Sequence, residues 1–210
     1  MKIGLLGSGA VGEALSRGFM REGHEVWLAT REPNGEKGER LRVEIKGVNV
    51  CDFATAAQTA ELAILCVKWS GAAEAVQLIG PDNLAGKVVI DTSNIIGLAG
   101  PASDVMVYAG GEMSAAEHVQ SWLPNSKVVK AFNTTGADMM YKPHLHDKPT
   151  MFIAGDDGDA KRQVSEILDK FGWEVLDTGP LITARELEPM GVVWVRNAAV
   201  NGREHAFKML

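Results

Sequence analysis

The stretch Lys2-Ile3-Gly4-Leu5-Leu6-Gly7-Ser8-Gly9-Ala10-Val11-Gly12 decides how the rest of the chain is read. A short apolar run leads directly into glycines spaced G-x-G-x-x-G. Beyond them, Val11, Leu15 and Phe19 recur at steps of four across Ala10–Glu22, which gives one apolar helical stripe. The pattern is strand, tight turn, helix. In that setting Gly7 permits the turn, Gly9 lets the backbone approach a pyrophosphate, and Gly12 allows close packing of helix on strand. Phosphates would then rest on the positive helix N-terminus, on Gly7, Ser8, Gly9, Ala10, Val11 and Gly12. The same spacing also occurs in plain flexible turns, but here a second strand pattern, Glu25–Ala29, follows at the distance a dinucleotide fold requires.

Working outward, apolar runs alternate with helical patterns. Strands are expected at Lys2–Leu6, Glu25–Ala29, Leu62–Val67, Lys87–Asp91, Lys127–Phe132, Thr150–Ala154 and Trp173–Asp177. Most are continuously apolar, as in strands covered on both faces. Leu41–Ile45 and Val48–Cys51 are weaker runs that include a short third strand. Helices are expected at Ala10–Glu22, Ala72–Ile79, Met113–Trp122 and Asp159–Phe171, the last capped by Asp157 or Asp159 and ended by Gly172. Arg31–Glu39 reads as an exposed loop running into a helix or turn. The fold class is therefore α/β, a Rossmann-type, doubly wound, mostly parallel sheet with a short C-terminal helical extension. Residues 1–179 form the nucleotide-binding unit. Residues 180–210, too few for a second domain, form a helical extension that packs on the site or on a dimer partner, with Pro189 starting or kinking a helix.

Composition excludes several classes of function. Of 210 residues, 21 are Lys or Arg and 27 Asp or Glu, a net charge of −6, so there is no basic footprint for nucleic acid or an anionic membrane. The N-terminal apolar run is short and is interrupted by Glu13 and Arg17, unlike a signal peptide. No run reaches the roughly 18–20 apolar residues that span a bilayer. A soluble, cytoplasmic chain is expected. Cys51 and Cys66 are too few for a disulfide framework and read as small core residues.

The end of the second strand selects the dinucleotide. An NAD site usually carries a carboxylate there, whereas this chain has Thr30-Arg31-Glu32. Thr30 can donate a hydrogen bond, and the planar fork of Arg31 matches a 2′-phosphate, so NADP is expected. Two readings compete with this: Arg31 as the start of a solvated charged loop, and Glu32 as a ribose partner. Further strand ends point into the same crevice: Cys66-Val67-Lys68-Trp69-Ser70, Asp91-Thr92-Ser93-Asn94 and Lys130-Ala131-Phe132-Asn133-Thr134-Thr135. Val67 and Lys68 are placed near the nicotinamide ribose, and Asn94, Ala131 and Asn133 complete the cofactor-binding set, with Asn94, Asn133 and Thr134 suited to orienting a carboxamide or an acceptor ring. An acidic chain holding an anionic dinucleotide must rely on local positives: Arg31, Lys68 and the helix dipole behind Gly9.

No residue announces itself as a catalytic acid or base. Lys68 reads first as a phosphate contact or a solvated charge. His144-x-His146-Asp147 has metal-like spacing but no further ligand nearby, so no metal site is assigned. His118 is expected on the exposed side of its helix and His24 as structural.

On these stretches the sequence resembles the NADPH-dependent deazaflavin (coenzyme F-420) reductases, and is similar also to the reductase domains of six-transmembrane metalloreductases. The likeness is carried by Ile3–Gly12, His24–Arg31, Ile64–Trp69, Asp91–Asn94, Lys130–Thr135, Pro149–Asp157, Phe171–Gly179 and Arg185–Met190. It implies an NADP-dependent oxidoreductase with NADP cradled by Ser8 to Val11 and held by Thr30 and Arg31, and with the Val67 loop along the nicotinamide. It further implies hydride exchange with a small-molecule redox acceptor, F-420 or a flavin, often in a homodimer. The chain departs from the family at Lys68, where many relatives carry proline, and at Tyr141–Lys148 with its two histidines, and both bear on the acceptor. The alternatives are an imine or carbonyl reductase of the pyrroline-carboxylate or hydroxyacid type, which would need a larger C-terminal helical domain or a partner's, and a non-catalytic NADP-binding regulator.

Overall fold

The computed structural model describes residues 1–100 and 103–210. In chain order the elements are β1 (Lys2–Leu6), α1 (Ala10–Arg21), β2 (Glu25–Ala29), α2 (Glu36–Glu44), β3 (Asn49–Cys51), α3 (Phe53–Thr59), β4 (Leu62–Leu65), α4 (Ala72–Ile79), β5 (Val88–Asp91), β6 (Ile96–Leu98), β7 (Met106–Tyr108), α5 (Ala115–Trp122), β8 (Lys127–Lys130), β9 (Thr150–Gly155), α6 (Gly158–Lys170), β10 (Glu174–Asp177) and α7 (Ala184–Asn201). Eight strands form one sheet in the order β10-β9-β8-β5-β4-β1-β2-β3, and β6 pairs with β7 as a separate hairpin. All neighbours in the large sheet are parallel except β8 and β9. The order reverses at β1, which pairs with β2 on one side and β4 on the other. In open α/β sheets, that reversal marks where a crevice opens beyond the strands' carboxyl ends.

Alternation along each strand feeds two cores. Ile3, Leu5, Leu28, Ile64, Ile90 and Val129 pack against Leu15 and Phe19 of α1, Leu41 of α2 and Val164 and Leu168 of α6. Leu6, Ala63, Leu65, Val89 and Val128 face the other way, onto α3, α4, α5 and Leu187 of α7. Each fully buried aliphatic side chain contributes roughly 1.5–3 kcal/mol, so a helix on each face is needed to keep both sides dry. Gly4 permits a close approach of β1 to α3: a Cβ there would lie 2.8 Å from Ala60 Cβ.

The strands begin within a residue of the apolar runs, β4 and β8 ending two residues early at Leu65 and Lys130, and α1 and α6 fall within a residue or two of the periodic segments. Of the two weaker runs, Val48–Cys51 holds the short third strand, β3, while Leu41 belongs to α2, where its sequence neighbours are charged and only one face is buried. The C-terminal segment refines the sequence reading. Pro189 does not start α7 but lies within it, where the amide it lacks would have bonded Arg185 in the first turn. The helical reading to Leu210 ends early, at Asn201, because Gly202 takes φ +85°. From there the tail runs back along β9: Thr150 N–H donates to Phe207 O at 2.8 Å and Met209 N–H to Thr150 Oγ1 at 3.0 Å. Among the described residues, no helix is long and apolar enough to cross a membrane.

Candidate functional site

The three glycines of the β1–α1 turn differ in what surrounds them. Gly7 has φ +129°, and a Cβ on it would sit 2.8 Å from both Cys66 O and Val67 Cγ1. A Cβ on Gly12 would lie 1.9 Å from Gly7 O. Both are required by the protein's own packing. At Gly9, by contrast, a Cβ would meet nothing within 4 Å. The space around it is open, at the start of α1. Gly9 is the extended N-cap of that helix and no side chain caps it, whereas Asp52, Ser114 and Asp157 cap α3, α5 and α6. A helix start with uncapped amides facing open room suits an anion. Ser8 is buried, Ala10 exposed and Val11 half-buried around it.

The neighbouring strand end supplies the polar groups expected there. Thr30 is buried, its N–H donating to Cys51 O at 3.0 Å and its Oγ1 accepting from Glu32 N–H at 3.4 Å. Arg31 and Glu32 are exposed. The Arg31 guanidinium lies 3.6 Å from the Glu74 carboxylate of α4, both side chains largely in solvent, so it remains free to swing onto a phosphate. Across β4, Val67 is half-buried against Gly7 and Lys68 is exposed at the start of a short turn, Trp69–Gly71. That turn is pinned by aromatic packing: Trp69 stacks on Trp122 at 5.5 Å and 11°, and lies 5.5 Å from the His118 ring. His118 is thus half-buried among tryptophans and not on an exposed helix face.

The ends of β5 and β8 hold what the sequence reading missed. Asp91 and Lys130 are register partners and both are fully buried. The Lys130 ammonium uses all three of its protons, on Asp91 Oδ2 at 2.6 Å, Ser93 O at 2.6 Å and Glu188 Oε1 of α7 at 2.8 Å. Burial alone would lower the Lys130 ammonium, but Asp91 and Glu188 beside it raise it above its ordinary value, so it stays charged. Asp91 Oδ1 accepts from Ser93 N–H and Oγ–H. The signal in the sequence was an acid and a base that each end an otherwise apolar run on adjacent strands; Glu188, far along the chain, gave none.

Just beyond this cluster, the two asparagines are brought together. Asn94 Nδ2 donates to Asn133 O at 2.8 Å, and Asn133 Nδ2 donates to Asn94 Oδ1 at 3.0 Å and to Leu187 O at 2.9 Å. Gly191 of α7 lies so close that a Cβ would be 2.7 Å from Asn94 Nδ2. Phe132 holds φ +60° while fully buried, a strain of roughly 1–3 kcal/mol. That turn directs Asn133, whose Oδ1 is buried without a partner, as is Thr135 Oγ1. Ala131 is fully buried, its N–H donating to Asp91 O, so it shapes the turn from below. The predicted residues therefore gather along one line, from Thr30 and Arg31 past the glycine turn to Asn94 and Asn133.

Other candidates lie apart. His144 and His146 are exposed, and among the described residues no group of three or more His, Cys, Asp or Glu is placed to hold a metal ion. Burial pushes the Cys66 thiol up, with Asp91 adding to it, and burial raises Cys51 to about 11, so neither forms a thiolate at neutral pH.

Residues 2–95 match the family model for NADP oxidoreductase, coenzyme F420-dependent. The chain is 30% identical to a protein from Arthrobacter sp. FB24 assigned as an F420-dependent NADP-reductase, with a TM-score of 0.92 over 100% of this chain and 99% of that one. It is also 30% identical over 187 residues to the rat metalloreductase STEAP3, covering 89% of this chain but only 36% of that protein, so it spans about a third of the length of such relatives. A reductive aminase from Aspergillus terreus shares the fold alone, at 18% identity and a TM-score of 0.67 over 96% of this chain and 62% of that one. The chain belongs to the coenzyme F420-dependent NADP oxidoreductase family, a family of NADP-dependent oxidoreductases.

Proposed function

We propose that the crevice binds NADP(H) and exchanges hydride between it and a deazaflavin or flavin-type small molecule. The observation that carries this is the start of α1: an uncapped helix N-terminus behind Gly9, with no atom within 4 Å of where a side chain would begin. Ser8 to Val11 would hold the diphosphate, and Thr30 and Arg31 the 2′-phosphate. When bound, the reduced nicotinamide supplies a hydride, one proton with two electrons.

The chain's own residues orient the reactants. The half of the sheet beyond the reversal, β4, β5 and β8, would lie under the nicotinamide half of such a dinucleotide. Val67, Asn94 and Asn133 ring that end, and the unpartnered Asn133 Oδ1 is an acceptor suited to a carboxamide N–H. Lys130, with every proton engaged, has none to lend to a substrate. A conjugated ring such as a deazaflavin asks less of the protein, since hydride enters the ring and its second proton can come from solvent. Orientation and exclusion of water are then the protein's main contribution. NADPH oxidation assayed with F420, FMN, FAD and ferric chelates tests this. Turnover should be fastest with the deazaflavin, and none with any acceptor, despite NADPH binding, would leave a non-catalytic NADP-binding role.

A further inference from the structure

We propose that the buried Asp91–Lys130–Glu188 cluster, which has one more carboxylate than ammonium groups, tunes the oxidation–reduction balance of the bound nicotinamide by favouring its cationic, oxidised form. This rests on the reading that the nicotinamide half lies over β4, β5 and β8. Loss of hydride turns a neutral dihydropyridine into a pyridinium with one positive charge. A fixed negative charge beneath the ring therefore stabilises one oxidation state over the other.

The cluster sits where charge is poorly screened. All three side chains are fully buried, where charges are felt further than in water. Glu188 Oε2 has no hydrogen-bond partner, so part of its charge is not spent on a neighbour. Ala116 N–H at the start of α5 donates to Glu188 Oε1 at 3.3 Å, a dipole that offsets only part of a full charge. The other surrounding groups do not cancel the excess. Glu117 and Arg185 neutralise each other through two contacts of 2.6 and 2.8 Å. The Tyr108 phenol stays neutral because burial, and then Glu188 and Glu117, raise it. The Cys66 thiol is pushed up in the same way. Glu112 and Glu186 are exposed to solvent. The cluster is also fixed in place, since Asp91 and Lys130 end the strands that lead into Asn94 and Asn133, and Leu187 beside Glu188 accepts from Asn133.

The test is the ratio of two dissociation constants, Kd(NADP+)/Kd(NADPH), measured on the full chain without any acceptor. Structural contributions shared by both oxidation states cancel in this ratio. Glu188→Gln keeps the volume and removes the excess charge. It should raise the ratio by about five- to tenfold, the tenfold limit corresponding to about 1.4 kcal/mol. Glu117→Gln, at a less buried position, leaves Arg185 unbalanced and should raise the ratio about twofold in the same direction. If Glu188→Gln does not fold, Asp91→Asn, which removes the cluster's other carboxylate and should shift the ratio the same way, decides instead. A ratio unchanged from the wild type in the folded variants overturns the proposal. Failure of the wild type to bind either form would instead overturn the NADP(H) reading on which it rests.

Discussion

At the β1–β2 end of the crevice, backbone amides and exposed side chains face open space, whereas at the β5–β8 end three charged side chains are sealed from water and bonded to one another. The first end is built to receive an anion: a glycine with room above it, a helix start without a cap, an arginine held by one loose contact. The second end has finished its bonding within the protein and presents only Asn94, Asn133 and their turn. A dinucleotide fold needs both. One end must give way to a ligand of fixed charge, and the other must hold still while charge on the ring changes.

The largest test of this contrast is Lys130→Met. It would strand Asp91 and Glu188 as buried carboxylates without their cation, and unfolding in urea should show a loss of roughly 3–5 kcal/mol. A loss under 1 kcal/mol would mean the cluster does not hold the β5–β8 end. Next comes a pair of substitutions inside one turn. Gly12→Ala drives a Cβ to 1.9 Å from Gly7 O and should cost about 3 kcal/mol or more of stability. Gly9→Ala meets no protein atom and should leave stability within about 1 kcal/mol. It should nonetheless weaken NADPH by at least about tenfold. Equal behaviour of the two variants would erase the distinction between a packing glycine and a binding glycine.

Arg31→Ala should weaken NADPH about tenfold and leave NADH unchanged, as loss of one charge-assisted contact requires. Equal loss for both dinucleotides would move Arg31 off the 2′-phosphate. The smallest effect concerns Glu117, whose hydrogen bonds from Arg185 hold its carboxyl down at about 2, against an ordinary 4.5, despite partial burial. Because the folded value is depressed, its stabilisation is present above pH ~4.5 and fades as pH falls toward 2. Glu117→Gln should lower Tm by about 2–4 °C at neutral pH, with the difference vanishing in acid.

The contrast also governs what could be read from sequence. β1, β2 and α4 fall on the expected residues because each is a continuous local pattern. The binding turn was legible for the same reason: its glycines act on one another over six positions. The cluster was not, since Asp91, Lys130 and Glu188 meet only after the sheet is assembled and α7 is laid across it. Short elements also escaped. α3 is seven residues of small side chains with little polar face, and β6 and β7 have three residues each. Leu41–Ile45 lies on α2 and its C-cap, where Leu41 and Ile45, four residues apart, are buried among charged neighbours, too few positions to establish a period.

The central claim is that this crevice passes hydride from NADPH to a deazaflavin. Anaerobic rapid mixing of the protein with NADPH and oxidised F420 tests it most directly. The account predicts loss of the deazaflavin's visible absorbance in step with NADPH, one for one, and its return when NADP+ is added in excess. An NADPH-saturated protein that leaves F420 oxidised would contradict it.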